Sequence, residues 1–152
     1  MIPATTERVA AHTDDNINRK IRRQTELNVA RYSAAGSTAI TRRLQELDEE
    51  WDIERLLETN AASAVLIGLT LGKVVDKRFL LLPAAVAAFL LQHALQGWCP
   101  PLPIFRRLGF RTQSEIEEER YALKALRGDF ARFGENETGR RSPGDAVKAV
   151  RR

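Results

Sequence analysis

The residues able to do chemistry gather at the end of one apolar run. They are Gln92, His93, Gln96 and Cys99, followed by Arg106 and Arg107. Cys99 is the single cysteine, which excludes a disulfide within the chain and a zinc site built on cysteine spacing. It follows an apolar helical pattern and precedes Pro100-Pro101. The negative end of the helix dipole disfavours a thiolate there, whereas Arg106 and Arg107, folded back, would favour one. The plainer reading is a small buried side chain ahead of a proline stop. His93 lies inside the run, where an ionisable residue marks a proton or metal site by default. One His and one Cys are too few ligands for zinc in a single chain, although a dimer would supply two of each. A neutral His93 hydrogen-bonded between helices is the simpler expectation. The sequence shows no glycine-rich phosphate loop, no nucleophile patterned with a base and no carboxylate pair in a plausible pocket. The acidic run Asp48-Glu49-Glu50-Asp52-Glu54 reads as a solvated face. No catalytic residue, cofactor or metal is therefore assigned, Cys99 is kept as the one thiol candidate, and a non-enzymatic protein is expected.

The elements that must position these residues follow from the distribution of charge. Between residues 61 and 98 the full charges are Lys73, Asp76, Lys77 and Arg78, whereas residues 14–58 are densely charged. Such segregation points to an all-α membrane protein with polar flanks. Leu56–Val75 and Phe79–Trp98 are each 20 residues long, about the length that crosses a hydrocarbon core of roughly 30 Å. Asp76-Lys77-Arg78 is short enough to make them an antiparallel transmembrane hairpin. Asn60, Ala64, Gly68 and Gly72 recur every four residues on the first helix. Ala84, Ala88, Gln92 and Gln96 do so on the second. These are the expected helix-packing faces, with small residues for close approach and glutamines to hydrogen-bond across helices. Pro83 falls in the first turn of the second helix, where a missing N–H does little harm. Lys73, Trp98, Arg106 and Arg107 are placed at the membrane interface. Arg42, Arg43, Arg55, Arg106, Arg107 and Arg111 flank the hairpin against two or three cations at its turn. The positive-inside rule then puts both termini in the cytoplasm.

Before the hairpin, residues 1–52 form a charged segment. Residues 1–13 carry no strong pattern and are expected to fray, and their composition is not that of a signal peptide. A helix is expected from Asp14 or Asp15 to about Ala35, with a loose stripe of Ile17, Ile21, Val29 and Tyr32. Its Arg19, Lys20, Arg22 and Arg23 read first as a solvated face, with lipid phosphate and then nucleic-acid phosphate as the lesser alternatives. Gly36-Ser37 breaks the pattern. Ser37 is then expected to cap an amphipathic helix from about Thr38 to Trp51, with the stripe Ile40, Leu44, Leu47, Trp51. Asp52 caps the next helix, opening the hairpin segment 53–112. Pro100, Pro101 and Pro103 are expected to prevent helix immediately after the hairpin. Thr112 and Glu115 have capping-box spacing for a charged helix over 113–128 that Gly128 stops. Its Ile116, Leu123 and Leu126 share a face suited to the Ile40–Trp51 helix. The tail, 129–152, is expected to be disordered. From Ala131 it holds six Lys/Arg against three Asp/Glu, the mark of a solvated basic terminus.

Gly97-Trp98-Cys99-Pro100, followed by Leu108-Gly109-Phe110-Arg111-Thr112, resembles the YgaP-like transmembrane domain family of bacteria. The resemblance covers about Asn60 to Thr112 and rests mainly on the Cys-Pro end. It departs at Phe110-Arg111, where the family usually has Ile-Asn, and at the charged helix preceding the hairpin. It implies a two-helix inner-membrane hairpin without a settled activity. Some relatives carry a rhodanese domain, and nothing here matches one. The combined expectation is a small bacterial inner-membrane protein that contacts the lipid bilayer and self-associates or serves as an accessory subunit. The alternative is sulfur, persulfide or redox handling through Cys99. Nucleic acid is not an expected partner. A third reading, a soluble all-α protein that buries residues 61–98, would need a larger coat than this chain provides.

Overall fold

The computed structural model describes residues 4–130. The expected disorder of 129–152 falls almost wholly outside them. Among the described residues the protein is all-α: α1 (Arg8–Ala11), α2 (Asp15–Ala34), α3 (Ser37–Glu49), α4 (Ile53–Val74), α5 (Leu81–Gln96), α6 (Leu102–Leu108) and α7 (Gln113–Arg127). The described chain forms two compact units. The first comprises the residues up to Arg23 with Trp51–Glu115, and the second Gln24–Glu50 with the residues from Ile116. This division cuts across the segmentation by charge, because Val9, expected to fray, is buried with Ile53, Leu57, Cys99 and Leu102.

In the first unit α4 and α5 form a helical hairpin. The Asp52 carboxylate accepts from the Arg55 N–H at 2.7 Å and so caps α4. At the other end Asp76 accepts from the Arg78 N–H at 2.7 Å, and a 3-10 turn at Lys77–Leu80 leads into α5. Gly68 and Gly72 are buried against the chain's own return: a Cβ on Gly68 would come 2.5 Å from Pro83 Cδ, and one on Gly72 2.5 Å from Leu80 Cδ2. The glycines thus permit the close crossing within the hairpin. Ala84 and Ala88, assigned to the same contact from their spacing, are exposed. Leu82 and Pro83 meet Gly68 instead.

Of the two segments expected to cross a membrane, Lys77–Gln96 is long and apolar enough to do so, and only 6% of its most apolar stretch is buried. Among the described residues it is the one such helix. The first half of α4 carries Glu54, Arg55, Glu58 and Asn60. Residues 61–98 do not form a buried centre among the described residues: Leu66, Ile67, Val74, Val75, Leu81, Leu91 and Leu95 are all exposed.

The prolines after α5 do not prevent helix. Pro101 is the N-cap of α6 and Pro103 lies in its first turn, where no intrahelical N–H donor is required. Gly109, at φ 96°, ends α6 in the left-handed region.

The second unit is built on the amphipathic stripes. Ile40, Leu44 and Leu47 of α3 pack with Ile116 and Leu123 of α7, and Val29 and Tyr32 of α2 close the cluster. Trp51 leaves the stripe, is 41% exposed and stacks under the Arg55 guanidinium, 4.3 Å from the ring centroid. Leu126 is exposed as well. The Ser37 side chain makes no capping bond; Gly36, at φ 89°, is the N-cap of α3. Glu119 is fully buried and accepts from Arg43 at 2.7 Å and from Asn28 at 3.2 Å.

Candidate functional site

Two polar constellations lie within the first unit. Capping by Asp52 sets Glu54 in the first turn of α4, aimed at the last turns of α5. Its Oε2 stands 2.8 Å from His93 Nε2, and its Oε1 accepts from Arg8 at 3.0 Å. His93 is 3% exposed, and its Nδ1 has no hydrogen bond of regular geometry. The other side chain that interacts with the ring is Cys99. The bond from His93, opposed by burial and helped by Arg8, holds the Glu54 carboxyl below the usual carboxylate range.

Arg8 also donates to the Ala94 carbonyl at 3.0 Å, one of the orphan acceptors at the end of α5. Gly97 makes this approach possible. It ends α5 at φ 82°, its N–H donates to the His93 carbonyl at 2.7 Å, and a Cβ there would lie 2.6 Å from the Arg8 carbonyl oxygen.

Cys99 is buried between α5 and α6, and its carbonyl accepts from the Leu102 N–H. It lines a cavity of about 380 Å³ whose wall is almost wholly apolar. Leu57, Ala61 and Ala64 form the α4 side, and Val86, Phe89 and Leu90 the α5 side. Pro100, Pro101 and Ile104 close the end, and Asn60 is the polar residue in the lining.

The second constellation surrounds Arg106, which is fully buried. Its two terminal nitrogens donate to the two Glu115 oxygens at 2.7 Å each. Further bonds run to the Phe110 carbonyl (3.0 Å), Thr13 Oγ1 (3.2 Å) and Asn18 Oδ1 (3.0 Å). Glu115 accepts from the Thr112 N–H at 2.8 Å while Thr112 Oγ1 accepts from the Glu115 N–H at 3.2 Å, a reciprocal capping box. Burial raises the Glu115 pKa, but the Arg106 and Thr112 bonds outweigh it and hold the group below its ordinary value.

The sequence-derived sites therefore separate. Arg106 is not an interfacial cation and does not fold back on Cys99: a fixed five-donor fork satisfied on every side belongs to the core. Arg107 and Lys73 are exposed and Trp98 is half-buried beside the Val9–Leu102 cluster. Asn60 is exposed, Ala64 half-buried, Gln92 half-buried and Gln96 exposed. Arg8 and Glu54 were not anticipated as site residues. No spacing pattern links Arg8, Glu54 and His93, which lie 46 and 39 residues apart along the chain. Among the described residues no group of three His, Cys, Asp or Glu side chains is arranged to hold a metal ion.

No family model matches the chain, and neither a curated protein nor a solved structure is similar to it.

Proposed function

We propose that this protein is a small non-enzymatic integral membrane protein of the bacterial inner membrane. Both α4 and α5 cross the bilayer, both termini lie in the cytoplasm, and the protein self-associates or acts as an accessory subunit of a membrane complex. One observation carries the reading: the hairpin leaves its apolar side chains uncovered. On α4 Leu66 is 65% exposed and Val74 75%; on α5 Leu81 is 74% exposed and Leu91 62%. Exposed apolar surface on this scale marks a lipid or protein contact. The helical backbone satisfies its own hydrogen bonds, as a lipid environment demands. The resemblance of the Gly97–Pro100 segment to the YgaP-like transmembrane domain supports the same placement. Because Gly68 and Gly72 are occupied within the hairpin, the exposed Ala84/Ala88 face of α5 is the surface left for a second helix.

The test is fractionation of cells expressing the full chain. The protein is expected in the pellet after carbonate washing and in the supernatant after a mild nonionic detergent. Release by carbonate alone removes the integral-membrane reading. Crosslinking in the detergent extract, followed by identification of co-purifying chains, then separates self-association from an accessory role.

A further inference from the structure

We propose that the basic stretch of α2, together with Arg107 of α6, is a contact site for the phosphates of anionic phospholipids, and that it holds α6 at the headgroup layer where the hairpin ends. The inference rests on the membrane placement proposed above and names the lipid class recognised there. Two independent observations meet at α6. The first is apolar. α6 turns Leu102 and Arg106 into the core, yet leaves Ile104 59% and Leu108 70% exposed, one turn apart on its outer face. Arg107 stands beside them and is exposed. A short helix that presents two large aliphatic side chains and a cation has the composition of a segment lying in the lipid interface.

The second observation is electrostatic. Residues 16–25 hold Arg19, Lys20, Arg22 and Arg23 and no carboxylate. All four side chains are exposed, while Asn18, Ile21 and Thr25 turn inward. Arg19 bonds to the neutral Asn16 side chain, and none of the four forms an ion pair with a described carboxylate. Docking onto α6 is direct: Arg106 donates to Asn18 Oδ1 at 3.0 Å and to Thr13 Oγ1 at 3.2 Å. Arg22 follows Asn18 by one helical turn, and Arg107 follows Arg106 in sequence. The buried guanidinium thus ties the basic stretch to the same end of the hairpin as Arg107, and all of it belongs to the first unit. Cations without carboxylate partners at the cytoplasmic end of a membrane hairpin match the negative potential of an anionic leaflet, and their bonds to phosphate are charge-assisted. By itself the stretch reads as a solvated face, because nothing in its own residues shows that α2 docks onto α6.

The experiment incubates the purified full-length protein with mixed micelles of a nonionic detergent holding equal amounts of phosphatidylglycerol and phosphatidylcholine. Phospholipid that stays with the protein through gel filtration is quantified by mass. Phosphatidylglycerol should be retained over phosphatidylcholine by at least about tenfold, since each cation close to an anionic surface contributes about fivefold. The preference should largely vanish in about 0.5 M salt, where screening shortens the reach of exposed charges. Replacing Arg19, Lys20, Arg22 and Arg23 together by Gln should bring the two lipids to near-equal retention, and Arg107→Gln alone should lower the preference about fivefold. Arg19→Lys/Arg22→Lys/Arg23→Lys keeps the charges and should keep the preference. Equal retention of the two lipids by the native protein overturns the proposal, as does a preference that survives in the Gln variant. So does binding of a duplex oligonucleotide, lost in the Gln variant, without any lipid preference; the stretch would then be a nucleic-acid contact. Carbonate extraction reads the hairpin separately. Release by carbonate with selection of phosphatidylglycerol intact would overturn the spanning hairpin and support the headgroup contact, whereas carbonate resistance without selection overturns the contact alone.

Discussion

Replacing Arg106 by Met keeps an apolar stem and removes the guanidinium. In the native protein that group is fully buried and bonded to Glu115, Thr13, Asn18 and Phe110. Its loss leaves the Glu115 carboxylate, whose side chain is 18% exposed, with Thr112 as its remaining donor. Breaking a buried pair by removing one partner costs about 3–5 kcal/mol. Partial exposure of Glu115 places the expected value at the lower end, about 3 kcal/mol. The assay is chemical denaturation in detergent at pH 7, read by far-ultraviolet circular dichroism. Arg106→Met/Glu115→Gln should recover part of the loss, because no uncompensated carboxylate remains. The pH dependence has a definite sign. Glu115 has a folded pKa below its ordinary value of 4.5, so its contribution is complete above about pH 4.5 and is lost as pH falls through the lower folded value. The variant lacks that contribution throughout, so the gap between the two proteins should close on acidification. A loss below about 1 kcal/mol at pH 7 would refute the reasoning, since exposed pairs contribute that little. Arg106 would then lie at a surface, as its place after an apolar helix suggests.

Gly97→Ala and Gly36→Ala share a positive φ but differ in space. A Cβ added at Gly36 would meet nothing within 4 Å, so its substitution should cost about 1–2 kcal/mol in backbone strain alone. Gly97→Ala should cost clearly more, because its Cβ meets Arg8 at 2.6 Å; equal denaturation midpoints would count against the docking of α1. Leu47→Ala, in the second unit, should lose about 2–5 kcal/mol, whereas Trp51→Ala, in the first, should lose no more than about 1 kcal/mol of cation–π contact. Differential hydrogen exchange would locate the first effect on α3 and α7.

Much of the local structure was legible because its causes are local. Asp52 caps α4 and Thr112 pairs with Glu115, since a cap needs little more than a side chain three residues from an orphan N–H. The Ile40–Leu44–Leu47 stripe and its match to Ile116 and Leu123 follow from helical period. Other expectations failed where a feature had two local solutions. Pro101 and Pro103 tolerate the start of a helix as readily as they end one, and α6 takes the first course. Trp51 continues a four-residue spacing on paper, but α3 stops at Glu49 and the ring turns to Arg55.

The apolar composition of residues 61–98, the all-α class and the caps at Asp52 and Thr112 were determined by the sequence itself, because hydropathy and hydrogen-bond stereochemistry act over a few residues. What α1 does, which charges are buried and where the imidazole of His93 finds its carboxylate were decided only by the tertiary structure. Arg106 and Arg107 are neighbours of one residue type, yet one is fully buried and the other exposed. That difference depends on Thr13, Asn18 and Glu115 arriving at the same point, and a charge is stable in the core only where distant segments bring it enough partners.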